Sequence, residues 1–439
     1  MQPGSCQSRG DERGDQWSAD TCRLAYDFPV ETAELPLPAG AFARSGSPAV
    51  APGPAALAIA ALILGATYLA AAVTWQQAAL YLVGGAAGIV LYHAAFGFTS
   101  AWRVFISDRR GAGLRAQMLM LALTCAVFFP VLASGELFGH AARGSVSPLS
   151  VGLLVGAFMF GVGMQLGGGC ASGTLYTAGG GNARMLVTLF FFIVGSVAGA
   201  AQLPMWQRSP ALASVSLVGR FGPVGALAIS LALFAAIAAA TAILERRRHG
   251  RLVGYGAGAA SASRWLRGPW PLAAGAVGLA LVNVATLAIA GRPWGVTSAF
   301  ALWGSKALSV AGVPVETWSY WSSRTADLDA SILTDATSVM NIGIMIGALA
   351  AAGLAGKFAP VWRVPARSLV AAAIGGVLLG YGARIAYGCN IGAYFGGIAS
   401  SSLHGWVWGL CAFAGSVAGT SVRPVFGLSV EQSRPDDGR

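Results

Sequence analysis

Charge is what this chain has least of. Asp, Glu, Lys and Arg together supply 10% of its 439 residues, against about 25% in an ordinary soluble domain. Hydrophobic residues supply 55%, and the mean hydropathy is +0.64. Water cannot solvate such a chain unless most of its apolar surface faces lipid. Histidine is nearly absent, at 4 residues. The cysteines are Cys6, Cys22, Cys125, Cys170, Cys389 and Cys411; no two form a C-x-x-C pair, and none stands beside a histidine at metal-ligand spacing. Structural zinc and thioredoxin-like redox chemistry therefore have little support. No metal, cofactor or catalytic group is expected, and the chain reads as a non-enzyme. A charged n-region followed by an apolar h-region is also missing from the start, which argues against a secretory signal peptide.

Long apolar runs take the place of charge. Stretches of about 20 residues, enough to cross a bilayer, fall at 55–73, 78–98, 114–133, 149–166, 185–203, 223–244, 271–290, 336–356, 369–386 and 403–422. An eleventh, 294–312, is interrupted by Gly295, Gly304 and Lys306 and reads as a re-entrant or broken piece. Residues 1–50 differ, with four arginines, seven acids and scattered Pro, Gly and Ser, and read as a disordered tail or an over-long start. The formal charge of +11 does not indicate nucleic acid, because the arginines cluster in short loops between spans and set orientation by the positive-inside rule.

The chain also repeats itself. Gly-Ser-Val-Ala-Gly occurs at 195–199 and again at 415–419. Gly156, Gly161, Gly163, Gly169, Cys170 and Gly173 match Gly375, Gly380, Gly382, Gly388, Cys389 and Gly392, and 96–102 matches 294–300. These ordered matches point to a duplication. The arginine loops at 103–115, 246–267 and 357–367, taken as cytoplasmic, make 149–166 and 369–386 run in opposite directions. The expected fold is an all-α polytopic membrane protein. It has two inverted, sequence-related halves of about 10 transmembrane helices plus short re-entrant or broken helices. Its organisation is a tail (1–50), a first membrane repeat (51–244), a basic cytoplasmic linker (245–268), a second repeat (269–425) and a C-terminal tail (426–439).

Chemistry concentrates in two stretches, 163–176 with Cys170 and 382–395 with Cys389. Gly167–Gly169 and Gly388 favour unwinding, and open backbone at membrane depth persists only inside protein or along a cavity. A helix starting after each cysteine aims its N–H groups back at the thiol, a plausible seat for an anion. Arg384 costs about 2.5–3.5 kcal/mol near midplane on an insertion scale, so a cavity, a counter-charge or an anionic ligand must offset it. Gln165 holds the matching position in the first half, and Asn390 follows the second cysteine. Thr99–Ser100 and Thr297–Ser298 either cap short helices or line the path, with capping favoured. The Gly-x-x-x-Gly pairs 195/199, 415/419 and 152/156 read as helix packing. Lys306 is a weaker ligand candidate, and His93, His404, Cys125 and Cys411 read as packed.

At these residues the chain resembles the YeeE/YedE family of bacterial inner-membrane sulfur-compound transporters, whose characterised members take up thiosulfate. The resemblance covers most of 55–425 and rests on Gly-Gly-Gly-Cys-Ala-Ser-Gly-Thr, Gly-Cys-Asn-Ile-Gly and the Thr-Ser motif. It implies halves enclosing an hourglass-shaped interior, with Cys170 as the middle and Cys389 as the last of a series of cysteines that contact the anion in turn. It also implies an inner-membrane location and, as a partner, a small cytoplasmic sulfur-carrier protein. Two departures stand out: Gly97 occupies the position of the first family cysteine, and Arg384 stands where thiosulfate carriers tend to have a small residue. The substrate expected is thus thiosulfate or a related sulfur-containing anion. A membrane thiol oxidoreductase cycling Cys170 and Cys389 is a rival, but it needs Cα atoms within about 7 Å and an electron partner for which no motif is visible. A non-transporting scaffold is the other rival, and it leaves the duplicated cysteines and Arg384 unexplained.

Overall fold

The computed structural model describes residues 50–252, 262–360 and 362–431. Of the tail expected at 1–50, residues 1–49, with Cys6 and Cys22, lie outside the described residues. The first helices are α1 (Pro52–Ala72), α2 (Trp75–His93), α3 (Phe98–Asp108), α4 (Ala112–Ser134), α5 (Val151–Gly167) and α6 (Ala171–Gly179). There follow α7 (Ala183–Ala201), α8 (Leu203–Gln207), α9 (Leu217–His249), α10 (Ala262–Arg267), α11 (Leu272–Ala290) and α12 (Thr297–Val310). The chain continues with α13 (Thr325–Asp329), α14 (Ala336–Leu354), α15 (Ala366–Ile385), α16 (Gly396–Ala399) and α17 (Leu403–Val422). Strand structure among the described residues is confined to two-residue antiparallel pairs, 136–137 with 140–141 and 149–150 with 211–212.

The protein is thus an all-α, multi-pass membrane protein. Among the described residues, nine helical stretches are long and apolar enough to cross a bilayer. Three of them are broken: α2 with α3, α5 with α6, and α15 with α16. The run at 403–422 forms α17 over its whole length but falls outside that set of nine. The interrupted run at 294–312 becomes α12, whose 14 residues rise only about 21 Å, less than the hydrocarbon core of about 30 Å.

Polar residues fix where several spans begin. Side chains of Thr74, Ser150, Asn182, Ser216 and Asp335 each accept a backbone N–H at the start of α2, α5, α7, α9 and α14, satisfying donors that lipid cannot. Glycine then sets how closely the spans approach. A Cβ placed on Gly161 or Gly415 falls under 3.0 Å from the facing backbone across α5 and α17, and one on Gly195 or Gly380 does so across α7 and α15. The same holds for Gly88 and Gly347 between α2 and α14, and for Gly163 and Gly375 between α5 and α15. Small residues permit this backbone contact, which binds helices where the hydrophobic effect cannot. The packing role expected for Gly195, Gly199, Gly415 and Gly419 is therefore met; α4 also lies along α9 and α11.

Ion pairs gather around the α3–α4 junction. The fully buried Glu245 carboxylate of α9 pairs with Arg115 at 2.6 Å and accepts the Gly111 amide at 3.0 Å. Nearby, His249 meets the Asp108 carbonyl at 2.7 Å. Arg103 reaches Glu431 at 2.7 Å, fastening the C-terminal segment to α3.

Candidate functional site

The two cysteines sit at matching breaks. In the first, α5 stops at Gly167, and Gly168 adopts φ +88°. Cys170 is the N-cap of α6, and its Sγ accepts the Gly173 amide at 3.4 Å and lies 3.5 Å from the Ser172 hydroxyl. In the second, α15 stops at Ile385, Tyr387 and Gly388 take φ +65° and +146°, and Cys389 precedes a six-residue π-helical turn, Asn390–Phe395. Cys389 holds the N-cap position, but its side chain accepts no capping hydrogen bond. Gly169 and Gly388 are equivalent in space as in sequence: a Cβ on either would stand 3.0 Å from the amide nitrogen five residues on, Thr174 or Ala393. Glycine lets each chain fold tightly over the start of its next turn. Both thiols are buried and free, Cys170 at 2% exposure and Cys389 at 0%, and α6 lies against the π-helical turn.

The partners correspond too. Gln165 Nε2 donates to the Thr99 carbonyl at 3.3 Å, and Arg384 Nη2 donates to the Thr297 hydroxyl at 3.4 Å. Matching residues of α5 and α15 thus reach matching residues at the starts of α3 and α12. The capping expected of the Thr-Ser pairs is not what they do. Gly97 and Val296 are the N-caps, without side-chain bonds, and the hydroxyl pairs lie inside the helices. The reason is that the first break ends two residues before Thr99 and the second one residue before Thr297, so both threonines fall inside their helices. Ser100 bonds back to the Gly97 carbonyl at 3.4 Å, whereas Ser298 turns away to Thr337 at 3.1 Å. Gly97 has an ordinary φ of −108°, and a Cβ there would stand 2.6 Å from Ser100 Oγ.

Unpaired polar atoms mark this region. Among the described residues, Thr99 Oγ1, Gln165 Oε1 and both amide atoms of the fully buried Asn390 lack a hydrogen-bond partner. Such groups cost about 1–3 kcal/mol each and are rare enough to need an explanation. Two residues the sequence reading passed over belong with them. Asn283 accepts the Trp294 amide at 2.8 Å and Asn341 donates to the Val296 carbonyl at 2.9 Å, each leaving its other amide atom unpaired. Lone amides within apolar runs were the available signal. Tyr320, which bonds Arg384, gave none. Lys306 donates to the carbonyls of Leu328 and Ala330, a structural tie. His93, His404 and Cys125 are buried as expected, and Cys411 is half-buried.

Two cavities, of about 420 Å³ beside Ser216, Ser400 and Ser401 and about 220 Å³ beside Arg292 and Asp335, touch neither cysteine. Among the described residues, no group of three or more His, Cys, Asp or Glu could hold a metal ion.

Comparison with known proteins adds a second line. A family model described as "Sulphur transport" matches residues 93–418. The "Probable transporter YedE" of Salmonella typhimurium is 33% identical over 174 residues, 39% of this chain and 42% of that protein. Its Escherichia coli counterpart is 32% identical over the same length and shares. The chain therefore spans well under half the length of these two relatives. The "Thiosulfate transporter TsuA" of Spirochaeta thermophila is 28% identical over 343 residues, 74% of this chain and 92% of that protein.

Proposed function

The chain belongs to the sulphur transport family, and from that premise we propose that it carries thiosulfate or a related sulfur-containing anion across a bacterial inner membrane. The observation that carries the reading is the pair of buried free thiols, each placed where a span breaks and a new helical turn begins. A neutral thiol donates its S–H weakly to a soft anionic sulfur, where a thiolate would repel it. Weak stations in series suit conduction, because tight binding would trap the cargo. Cys170 and Cys389 act as successive stations. The unpaired Asn390 amide and Thr99 hydroxyl, with the donor groups of Gln165, Thr297 and Arg384, replace part of the water an anion sheds on entry. The unpaired state of Asn390 and the Thr99 hydroxyl at rest is consistent with partners arriving as cargo.

We also read the two halves as an inverted duplication divided at 245–268. The exchange of partners supports it, since α5 packs on α17 as α15 packs on α7, and α4 on α11 as α14 on α2. Running in opposite directions, the halves bring one cysteine break in from each side. The test is growth of a thiosulfate-uptake-deficient bacterium on thiosulfate as sole sulfur source. Rescue by this chain that disappears in Cys170→Ala and in Cys389→Ala, at equal membrane levels, is expected. Rescue that survives both substitutions ends the thiol relay, and no rescue by the unaltered chain ends the thiosulfate reading.

A further inference from the structure

Between α12 and α14, the segment 311–335 folds back against α12. Trp321 and Val315 pack on Ala301 and Leu302 of α12, and the Trp321 indole donates to Ser305 at 2.9 Å. Lys306 holds the far side through the carbonyls of Leu328 and Ala330. This firmly seated segment presents Tyr320 to Arg384, whose guanidinium donates to the phenol oxygen and lies 5.2 Å from the ring centroid. A second guanidinium, that of Arg324, lies 4.5 Å from the same ring and 5.4 Å from that of Trp321. The two guanidinium carbons are therefore no more than about 10 Å apart, and both act on the one Tyr320 phenol oxygen, by charge and by hydrogen bonding. Among the described residues neither arginine pairs with a carboxylate, although Asp327 and Asp329 lie on the same segment. One Arg384 nitrogen, Nε, is buried without a partner.

We propose that Arg384 and Arg324, both packed against Tyr320, form a capture site for a small doubly charged oxyanion, with the Tyr320 hydroxyl holding Arg384 until an anion oxygen displaces it. The proposal rests on the transport reading for its cargo and supplies the entry step ahead of the thiols. Burial alone raises the Tyr320 phenol, yet Arg384 and Arg324 outweigh it and bring the group below its ordinary value. The phenol oxygen thus marks a point where negative charge is favoured.

The experiment is calorimetric titration of the purified full-length protein in detergent with thiosulfate and, separately, sulfate. Arg384→Gln should weaken binding about tenfold or more and Arg324→Gln by a smaller factor, since each removes a charge-assisted contact. Tyr320→Phe, which keeps the ring and removes the competing hydroxyl, should tighten binding about threefold or more. Thermal unfolding of each variant checks folding, and Tyr320→Phe tests the idea even where an arginine variant fails to fold. The proposal falls with no binding to the unaltered protein, with unchanged affinity in both arginine variants, or with a Tyr320→Phe that binds more weakly. Arginine-dependent binding in a protein that moves no thiosulfate into liposomes would sink the transport reading and keep the site. Transport without arginine-dependent binding would do the reverse.

Discussion

Gly375→Ala probes the contact that sets the two cysteine breaks relative to each other. Gly375 lies on α15 directly against the end of α5, three residues before Cys170. An added Cβ would stand 2.7 Å from Gly167 Cα and 2.8 Å from the Gly163 carbonyl oxygen, where ordinary contact begins at 3.4 Å. The Gly167 amide nitrogen is nearer still, and all three obstructing atoms are backbone, so no side chain can swing aside and the helices must part by more than about 0.7 Å. Overpacking of this kind costs about 1–3 kcal/mol. The shift also passes directly into the turn that carries the Cys170 thiol. The assay is thermal unfolding in detergent together with initial uptake rate, with Gly53→Ala as the comparison because nothing lies within 4 Å of its added Cβ. The expected result is a lower midpoint and slower uptake for Gly375→Ala alone. If the two variants behave alike, the α5–α15 contact does not position the site.

Further outcomes follow from other residues. Asn390→Leu removes two unpaired amide atoms from a fully buried position, so the resting protein should be more stable by at least about 1–3 kcal/mol and unfold at a higher temperature, while uptake falls; lower stability would mean the amide is structurally paired. Glu431 is pulled below its ordinary value because its hydrogen bonds and charge pairing with Arg103 outweigh the raising effect of burial. A depressed carboxylate stabilises the folded form above its unfolded value and loses that contribution as pH falls through the folded one. Acidification below the ordinary carboxylate range should therefore release the C-terminal segment from α3, seen as faster proteolysis after Val422, and Glu431→Gln should show that release at neutral pH. A cleavage rate independent of both would refute the tether.

Much of this was legible in the sequence because lipid leaves few choices. Apolar runs had to become helices, and the expected span limits lie within a few residues of the helices apart from the longer α9 and the break after His93. The glycine triplet 167–169 and the repeated Gly-Cys pairs located both breaks. Polar local detail was harder. Thr99 and Thr297 resembled caps in sequence, yet Gly97 and Val296 take that position because cap identity depends on where the backbone turns, which spacing alone does not fix. Tyr320 was invisible since it comes to Arg384 from 64 residues away, through a segment whose composition resembles an ordinary loop. Asn283 and Asn341 could have been singled out as isolated amides within spans, and their partners are backbone groups of the break before α12.

The most direct test of the central claim is uptake of labelled thiosulfate into liposomes containing the purified chain. The account predicts flux above that of empty liposomes that falls at least about tenfold in Cys170→Ala and in Cys389→Ala, with both variants folded. Equal flux in the unaltered chain and the two variants would contradict it.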